Sequence, residues 1–459
     1  MTTLHDDLVD VHPLRAKISI LLAVAATVPA FVVRSTHPDI PHPLEAFLFG
    51  LAIVGAAFLL SWVAETAQID ISAGLAIAIL ALIAVLPEYA VDFVFARQGG
   101  ESFAQTGEAC LPLGGGTESP CSLALANMTG ANRLLIGVGW TMVVFIAFLR
   151  LRKKGALRLE SNGRWEGVRL DRDHSIEIAY LAVATIYSLS LPLKHSVTLI
   201  DSVILITIFV LYSIRVSRAP AQEPHLVGPA RWLGAMPARW RRTWVVTVAV
   251  FAAAVILLCA ERFAEALVLS GQSVGISEFV LVQWLAPLAS EAPELLVAGL
   301  YAWRLNTSAG LGTLVSSKVN QWTLLVGTLP IVFAVAAGGL HGLPLDTVQR
   351  EELFLTAAQS FFAVAVVSSL TMSLREAGFL FALFWAQFVL GAIVPEQYHG
   401  VERIGIGIVY LVLGTWVFAT DRFSLRRLFH DGFRASYDEL ASAREADRGD
   451  PEPSTPVSG

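Results

Sequence analysis

Residues 69–96 read IDISAGLAIAILALIAVLPEYAVDFVFA, and residues 274–302 read VGISEFVLVQWLAPLASEAPELLVAGLYA. Each stretch is long and apolar enough to cross the hydrocarbon core of a bilayer, which takes about 20 residues of α-helix. Because lipid offers the backbone no hydrogen-bond partners, such stretches must be helical. Each one nevertheless contains a Pro-Glu step, at Pro87-Glu88 and at Pro293-Glu294. The two stretches predict an all-α membrane protein in which two helices carry acidic side chains.

The remainder of the chain has the same apolar character. Hydrophobic residues make up 55% of the 459 residues and charged residues only 15%, whereas soluble domains carry about 25% charged residues. No basic stripe indicates nucleic acid as a partner, so the lipid bilayer and small inorganic cations are the expected partners. We predict about 12 transmembrane helices, the first retained rather than cleaved as a signal peptide, at 17–34, 43–64, 70–97, 122–149, 174–192, 196–215, 243–268, 276–303, 309–336, 350–371, 374–394 and 401–420.

Two loops are rich in lysine and arginine, at 150–169 and 215–242. Loops with an excess of these residues stay in the cytoplasm. Counting helices outward from both loops places both chain termini in the cytoplasm as well, and the outward loops are poor in Lys and Arg. The expected location is therefore the cytoplasmic (inner) membrane, with multiple passes.

The two quoted stretches also predict an internal repeat. Each is followed by a helix rich in small and polar residues, and five predicted helices separate equivalent points. An odd number of helices inverts the second copy, which is an architecture of transporters. We therefore expect an N-terminal segment and extra helix (1–34), a first five-helix repeat (43–215), a basic cytoplasmic loop (216–242), a second five-helix repeat (243–394), an extra helix (401–420) and a disordered cytoplasmic tail (434–459).

Four acidic residues lie well inside these apolar helices. Glu88 and Asp92 are four residues apart and share one helix face, as do Glu291 and Glu294, which are three apart. A charge at membrane depth costs at least about 2.5–3.5 kcal/mol on insertion scales. Pro87 and Pro293 are expected to break their helices and to free carbonyls one turn earlier. Carboxylates beside freed carbonyls predict a hard-oxygen cation site; the alternative is a proline kink with structural ion pairs.

The polar helices that follow supply further candidates. Amide and hydroxyl oxygens could join the ion site, or could simply make hydrogen bonds between helices. Arg133 and Lys318 are basic residues at membrane depth, and we expect each to act as an internal counter-ion to the core acids. The predicted neutral ion-binding residues are Asn127, Thr129, Asn132, Ser290, Ser317, Asn320 and Gln321.

Cys110 and Cys121 lie in the outward loop between the third and fourth predicted helices. Two nearby cysteines on an oxidising face predict a disulfide, the alternative being two free thiols.

The segments LPEYAVD (86–92) and APELLVAG (292–299), each followed by a small-polar helix, resemble the paired signature repeats of the sodium/calcium exchanger superfamily. That resemblance covers about 69–140 and 274–330. It implies two inverted five-helix repeats around central ion sites, with Glu88 and Glu294 as ion-binding acids. It further implies that Ser317 and Gln321 are the serine and amide of the second polar helix, and that Asn127, Thr129 and Asn132 lie in the equivalent stretch of the first.

The function implied is secondary active antiport, exchanging Na⁺ (or Ca²⁺) for H⁺ or another cation by alternating access. No enzyme activity and no cofactor beyond the transported cation is expected. The alternatives are a non-transporting membrane protein with inert ion pairs and an intramembrane enzyme, for which no HExxH motif is present. The family's Gly-Ser-Asn becomes GAN (130–132) and SSK (316–318). If Arg133 and Lys318 both face the four acids, they offset part of the negative charge of the site. Too little negative charge then remains to neutralise a divalent ion together with several sodium ions. This count favours a proton-coupled or monovalent exchanger.

Overall fold

The computed structural model describes residues 13–67, 69–70, 86–106, 110–112, 118–157, 165–219, 226, 228–275 and 277–442. In this part of the chain almost every regular element is a helix, as the composition predicts. The α-helices are α1 (Pro13–Thr36), α2 (His42–Ala67), α3 (Leu86–Thr106), α4 (Pro120–Lys153), α5 (Ser175–Ser188), α6 (Leu199–Val216), α7 (Pro229–Gly234), α8 (Ala238–Val274), α9 (Glu278–Trp303), α10 (Thr307–Ala337), α11 (Thr347–Val367), α12 (Leu374–Ile393), α13 (His399–Thr420) and α14 (Arg422–Phe433).

Short elements connect these helices. The strands are β1 (Val168–Arg169), β2 (Ser196–Val197), β3 (Leu343–Pro344) and β4 (Thr371–Met372). Single 3₁₀ turns lie at Arg172–His174, Leu191–Leu193 and Glu396–Tyr398.

Ten helices of the described chain are long and apolar enough to cross a membrane. Helices α3 and α11 correspond to the two remaining predicted spans and carry more charge. The prediction for 70–97 lies partly outside the described residues, because 71–85 are not among them. The all-helical, multi-pass architecture is thus confirmed, while the count of 12 stays a prediction.

The strand pairs connect loops in a pattern that an inverted repeat predicts. If α2–α6 and α8–α12 are the two five-helix units, β1 corresponds to β3 and β2 to β4. The observed antiparallel pairs are β1 with β4 and β2 with β3. Replacing each strand by its counterpart in the other unit converts the β1–β4 pair into the β3–β2 pair. The two observed pairs are therefore equivalent to each other under the predicted repeat. This pattern supports the predicted inverted repeat.

Asp70, just after α2, ties the end of that helix to the beginning of α8. Its two carboxylate oxygens accept from Nε and Nη2 of Arg241 at 2.7 and 2.9 Å, and from Nε of Arg242 at 2.9 Å. The hydrogen bond from Arg241 lowers the pKa of Asp70 to about 2, although partial burial opposes it. The carboxylate therefore stays ionised at neutral pH, and α2 and α8 pack along each other from this point.

The loop before α4 is covalently closed. Cys110 and Cys121 form a disulfide with a Cα–Cα distance of 5.9 Å, and both side chains are buried. Gly99 on α3 lies against this bond, because a Cβ there would be 2.6 Å from Sγ of Cys121. The disulfide joins Cys110, in the loop after α3, to the start of α4, and packing at Gly99 places the bond against α3, one of the two helices that carry the core acids.

The first residues of the tail that was predicted to be disordered (434–459) are ordered in the structure, so the prediction was wrong for this part. Residues 437–442 are helical, and Ala435 and Leu440 are buried. Tyr437 donates to the backbone carbonyl of Arg215 at 3.1 Å. These apolar side chains and the hydrogen bond fasten the segment to the end of α6, which the polar composition of the whole tail concealed. Residues 443–459 lie outside the described part.

Candidate functional site

Three of the four core acids converge. Glu88 lies near the beginning of the described part of α3, while Glu291 and Glu294 lie one turn apart in the middle of α9. One carboxylate oxygen from each residue lies within 4.8 Å of the other two. Glu88 and Glu291 are 1% and 0% exposed, whereas Glu294 is only partly buried. Glu88, Glu291 and Glu294 together form the acidic triad.

Polar side chains from α9 and α10 adjoin the triad. The amide of Gln321 donates to Oε1 of Glu291. The hydroxyl of Ser290 lies beside the carboxyl of Glu88. The fourth acid, Asp92, is one turn along α3 and accepts from Nδ2 of Asn127 on α4 at 2.7 Å. The two predicted acidic pairs and two of the predicted amides therefore come together between α3, α4, α9 and α10.

The site has more acceptors than donors. Several of its buried oxygens have no hydrogen-bond partner among the described residues: Glu88 Oε2, Asp92 Oδ2, Asn127 Oδ1, Glu291 Oε2, Glu294 Oε2 and Gln321 Oε1. Unsatisfied buried oxygens are costly unless a cation or proton binds them. A cluster of carboxylate and amide oxygens is the donor set that hard cations such as Ca²⁺ prefer.

Close helix packing positions these side chains. A Cβ at Gly130 on α4 would collide with the backbone carbonyl of Gln283 on α9. Glycine at this point therefore allows the polar stretch of α4 to touch the acidic helix. Small residues at helix–helix contacts serve the same purpose in membrane proteins generally.

Pro293 does not break its helix, so the prediction was wrong on this point. Helix α9 continues from Glu278 to Trp303 through both Pro287 and Pro293. A membrane helix tolerates an internal proline because neighbouring helices and side chains can satisfy the freed backbone groups. Proline has no N–H, so the carbonyl of Ala289 still lacks its usual helical donor. Pro87 lies at the beginning of the described part of α3, and the carbonyl one turn earlier that it was expected to free, that of Ile83, is outside the described residues.

Several predicted ligands have other contacts. Thr129 donates to the backbone carbonyl of Leu125 in its own helix at 2.7 Å. The amide nitrogen of Asn132 donates to Met128 O at 2.8 Å. Ser317 and Asn320 lie on α10 near Gln321, Asn320 being 7% exposed, and no contact places either against the triad. For these four residues an ion-binding role stays a prediction.

The two buried bases do not form ion pairs with the four core acids, which corrects the sequence expectation. Arg133 Nη2 lies 2.6 Å from Glu352 Oε2, and Arg133 also donates to Gln387 Oε1 at 3.3 Å. Lys318 Nζ instead donates to Asn132, although it is close enough to Glu291 to interact electrostatically. The partners of Arg133 lie on α11 and α12, which the motifs do not cover, and Lys318 has an uncharged acceptor on α4.

Sequence reasoning missed a buried charge, Glu352, and its partly buried partner Arg403. Glu352 lies on α11 and is 2% exposed, and its second oxygen is 2.9 Å from Nε of Arg403 on α13. Arg403 also contacts Glu351 at 3.0 Å. The sequence does contain a signal for this pair. Charged residues Arg-Glu-Glu at 350–352 lie at the start of a predicted transmembrane helix, and Arg403, a possible partner of opposite charge, lies near the beginning of α13.

The sequence matches a known family over most of its length. The model of the family described as "Sodium/calcium exchanger protein" matches residues 44–217 and 244–394. The solved structure described as "Crystal Structure of H+/Ca2+ Exchanger CAX" is 37% identical, with a TM-score of 0.80, and the match covers 93% of this chain and 99% of that one. A search of curated proteins gave no match.

A more distant likeness concerns the fold alone. The structure described as "Crystal structure of selenium substituted Ca2+/H+ antiporter proteinYfkE" is 15% identical, with a TM-score of 0.54, and the match covers 86% of this chain and all of that one. Another structure, described as "Structure of native YfkE", gives 13% identity and a TM-score of 0.53 over the same shares.

Proposed function

The chain belongs to the sodium/calcium exchanger family, whose members are membrane transporters and not enzymes, and from this premise we propose that it exchanges Ca²⁺ for H⁺ at the acidic triad. It is a multi-pass membrane protein of the cation antiporter type. The further choice of Ca²⁺ and H⁺ belongs to the proposal. Its 37% identical relative is described as an exchanger of the same pair of ions.

The convergence of Glu88, Glu291 and Glu294 carries this proposal. One oxygen from each lies within 4.8 Å of the other two, in a site where Glu88 and Glu291 are buried and Glu294 is partly buried. Three carboxylates at this distance cannot all be ionised without a compensating cation. A divalent cation neutralises two of the charges and accepts oxygen ligands at about 2.3–2.6 Å. When it leaves, protons are the other species that can neutralise the same oxygens, so Ca²⁺ and H⁺ compete for one site, as antiport requires.

The positions of the two bases also support a divalent substrate. The expectation of a monovalent exchanger depended on Arg133 and Lys318 both neutralising the core acids. Arg133 pairs with Glu352 instead, and Lys318 binds Asn132. The negative charge of the triad therefore remains available to a transported cation, and the alternative of inert internal ion pairs loses its basis.

Ca²⁺ uptake into proteoliposomes tests the proposal. With an acidic interior and no membrane potential, Ca²⁺ should accumulate inside, and collapsing the pH gradient should stop accumulation. Parallel vesicles with Na⁺, K⁺ or choline gradients identify the coupling ion. Accumulation driven by a Na⁺ gradient but not by a pH gradient would exclude proton coupling, and no Ca²⁺ flux under either gradient would exclude Ca²⁺ as substrate.

We also propose that the loop from 150 to 169 is cytoplasmic, with both termini on the same side. Arg150, Arg152 and Lys153 lie in the last turn of α4 and Lys154 follows it, and Arg169 in β1 pairs with the segment before α12. In intact cells, a cysteine introduced at Lys153 should resist an impermeant maleimide until the membrane is permeabilised. A cysteine at Leu340 in the opposite loop, where the side chain is 91% exposed, should react at once. Labelling of position 153 from outside would reverse the orientation.

A further inference from the structure

Asn132 and Lys318 occupy the same position in the two polar helices. Asn132 ends the segment GAN (130–132) and Lys318 ends SSK (316–318). A π-helical segment follows each residue at the same interval, beginning at Leu135 in α4 and at Gln321 in α10. Such segments are rare in proteins, so their matched placement fixes the register between the two helices. One repeat thus carries an amide where the other carries an ammonium group.

The two side chains meet in the centre of the protein. Lys318 Nζ donates to Asn132 Oδ1 at 2.8 Å and to the Asn132 backbone carbonyl at 3.0 Å. It also lies 4.6 Å from the centre of the Trp322 ring. The Asn132 amide nitrogen is fixed by Met128 O, which leaves Oδ1 directed at the ammonium. Lys318 is 0% exposed, so its Nζ is held by two oxygens and a ring face with no access to solvent.

This ammonium is connected to the acidic triad without being part of it. Gln321, one turn after Lys318 on α10, donates to Glu291. Lys318 acts electrostatically on Glu291, but no ion pair joins them. The charge of Lys318 therefore contributes to the field at the triad while leaving the triad's oxygens uncovered.

Resting on the function proposed above, we propose that Lys318 is a built-in cation that fills the position of a bound monovalent ion and so excludes Na⁺ from coupling. Two oxygens of Asn132, held at membrane depth, form the kind of neutral pocket that coordinates such an ion. The ammonium satisfies them permanently because it is covalently attached to α10. Removing the side chain frees these oxygens and leaves a cavity beside them that Na⁺ can occupy. In the wild-type chain Lys318 already binds both oxygens, so Na⁺ does not stabilise the protein.

Thermal unfolding of the purified protein in NaCl, KCl or choline chloride tests this without requiring transport. Wild type should show the same Tm in all three salts at equal ionic strength. Lys318→Ser should show a lower Tm that rises specifically with Na⁺, since an ion that binds only the folded state stabilises it. Lys318→Arg, which keeps the charge, should stay indifferent to Na⁺. Lys17→Ser is the matched control, because Lys17 also lies over a tryptophan ring, 5.7 Å from the centre of Trp232, outside the site.

Ca²⁺ uptake supplies the second measurement. An outward Na⁺ gradient should drive or alter Ca²⁺ uptake in Lys318→Ser vesicles and leave wild-type vesicles unchanged. Lys318→Gln replaces the serine variant if the latter cannot be purified. Na⁺-specific stabilisation of wild type, or a neutral variant as indifferent to Na⁺ as wild type, would overturn the inference and leave Lys318 a structural link between α4 and α10. Failure of the proposed function shows separately, as an absence of wild-type Ca²⁺/H⁺ flux.

Discussion

Glu294→Gln should reduce Ca²⁺/H⁺ exchange to the level of empty vesicles while leaving membrane insertion intact, and Glu88→Gln and Glu291→Gln should do the same. Glutamine keeps the size of the side chain but offers a single neutral oxygen. It also carries no acidic proton that could be released when a metal ion binds. Each variant removes one of three charges from a site whose oxygens lie within 4.8 Å of one another. Removing a like charge from a buried cluster relieves repulsion, so the ion-free variants should be at least as stable as wild type.

The measurement is Ca²⁺ uptake into proteoliposomes together with the Tm shift that Ca²⁺ causes in detergent. Both should be lost in the three triad variants. Glu101→Gln is the matched control: Glu101 lies on the same helix as Glu88 but is 42% exposed and pairs with Arg97. Wild-type uptake in all three triad variants would show that these acids are structural.

Glu352→Leu should destabilise the protein strongly without changing which ion it carries. Removing one partner of a buried ion pair costs about 3–5 kcal/mol, because the other charge is left unpaired. Here Arg133 would lose its only acidic contact within 4.0 Å among the described residues, and Arg403 would keep Glu351. Denaturant unfolding in detergent measures the loss, and residual Ca²⁺ uptake in the folded fraction measures selectivity.

A double-mutant cycle identifies the pair as the cause. Arg133→Met combined with Glu352→Leu removes both charges, so the double variant should be more stable than the sum of the two single effects predicts. Additive effects would show that Arg133 and Glu352 act independently. Normal stability with loss of flux in Glu352→Leu would instead place Glu352 in the ion pathway.

The sequence predicted the parts of the fold that depend on local patterns. Apolar length located the membrane helices, and the two Pro-Glu steps identified the helices that bring Glu88 and Glu294 together. The match between GAN and SSK was likewise visible in the sequence. The paired strands add support for the inverted repeat that the sequence could only propose, because their pairing depends on loops far apart along the chain.

The partners of the buried bases could not be predicted in this way. The sequence offered Arg133 four acids in or next to the two signature segments, but its actual partner Glu352 lies on a helix outside both segments. Lys318 likewise binds an amide rather than a carboxylate. A helical pattern specifies which residues share a face, whereas the partner across an interface depends on the packing of four or more helices. Pro293 was misjudged for a related reason, since the surrounding bundle keeps α9 helical through the missing hydrogen bond.

The competition between Ca²⁺ and protons for the acidic triad is measured most directly as proton release on Ca²⁺ binding. Purified protein in weakly buffered detergent solution, with a pH indicator, is titrated with Ca²⁺, and a calorimetric titration in two buffers of different ionisation enthalpy gives the same number independently. Wild type should release protons with each Ca²⁺ bound, and the release should disappear with binding in Glu291→Gln. Binding of Ca²⁺ with no proton release at a pH where exchange is active would contradict the proposed mechanism.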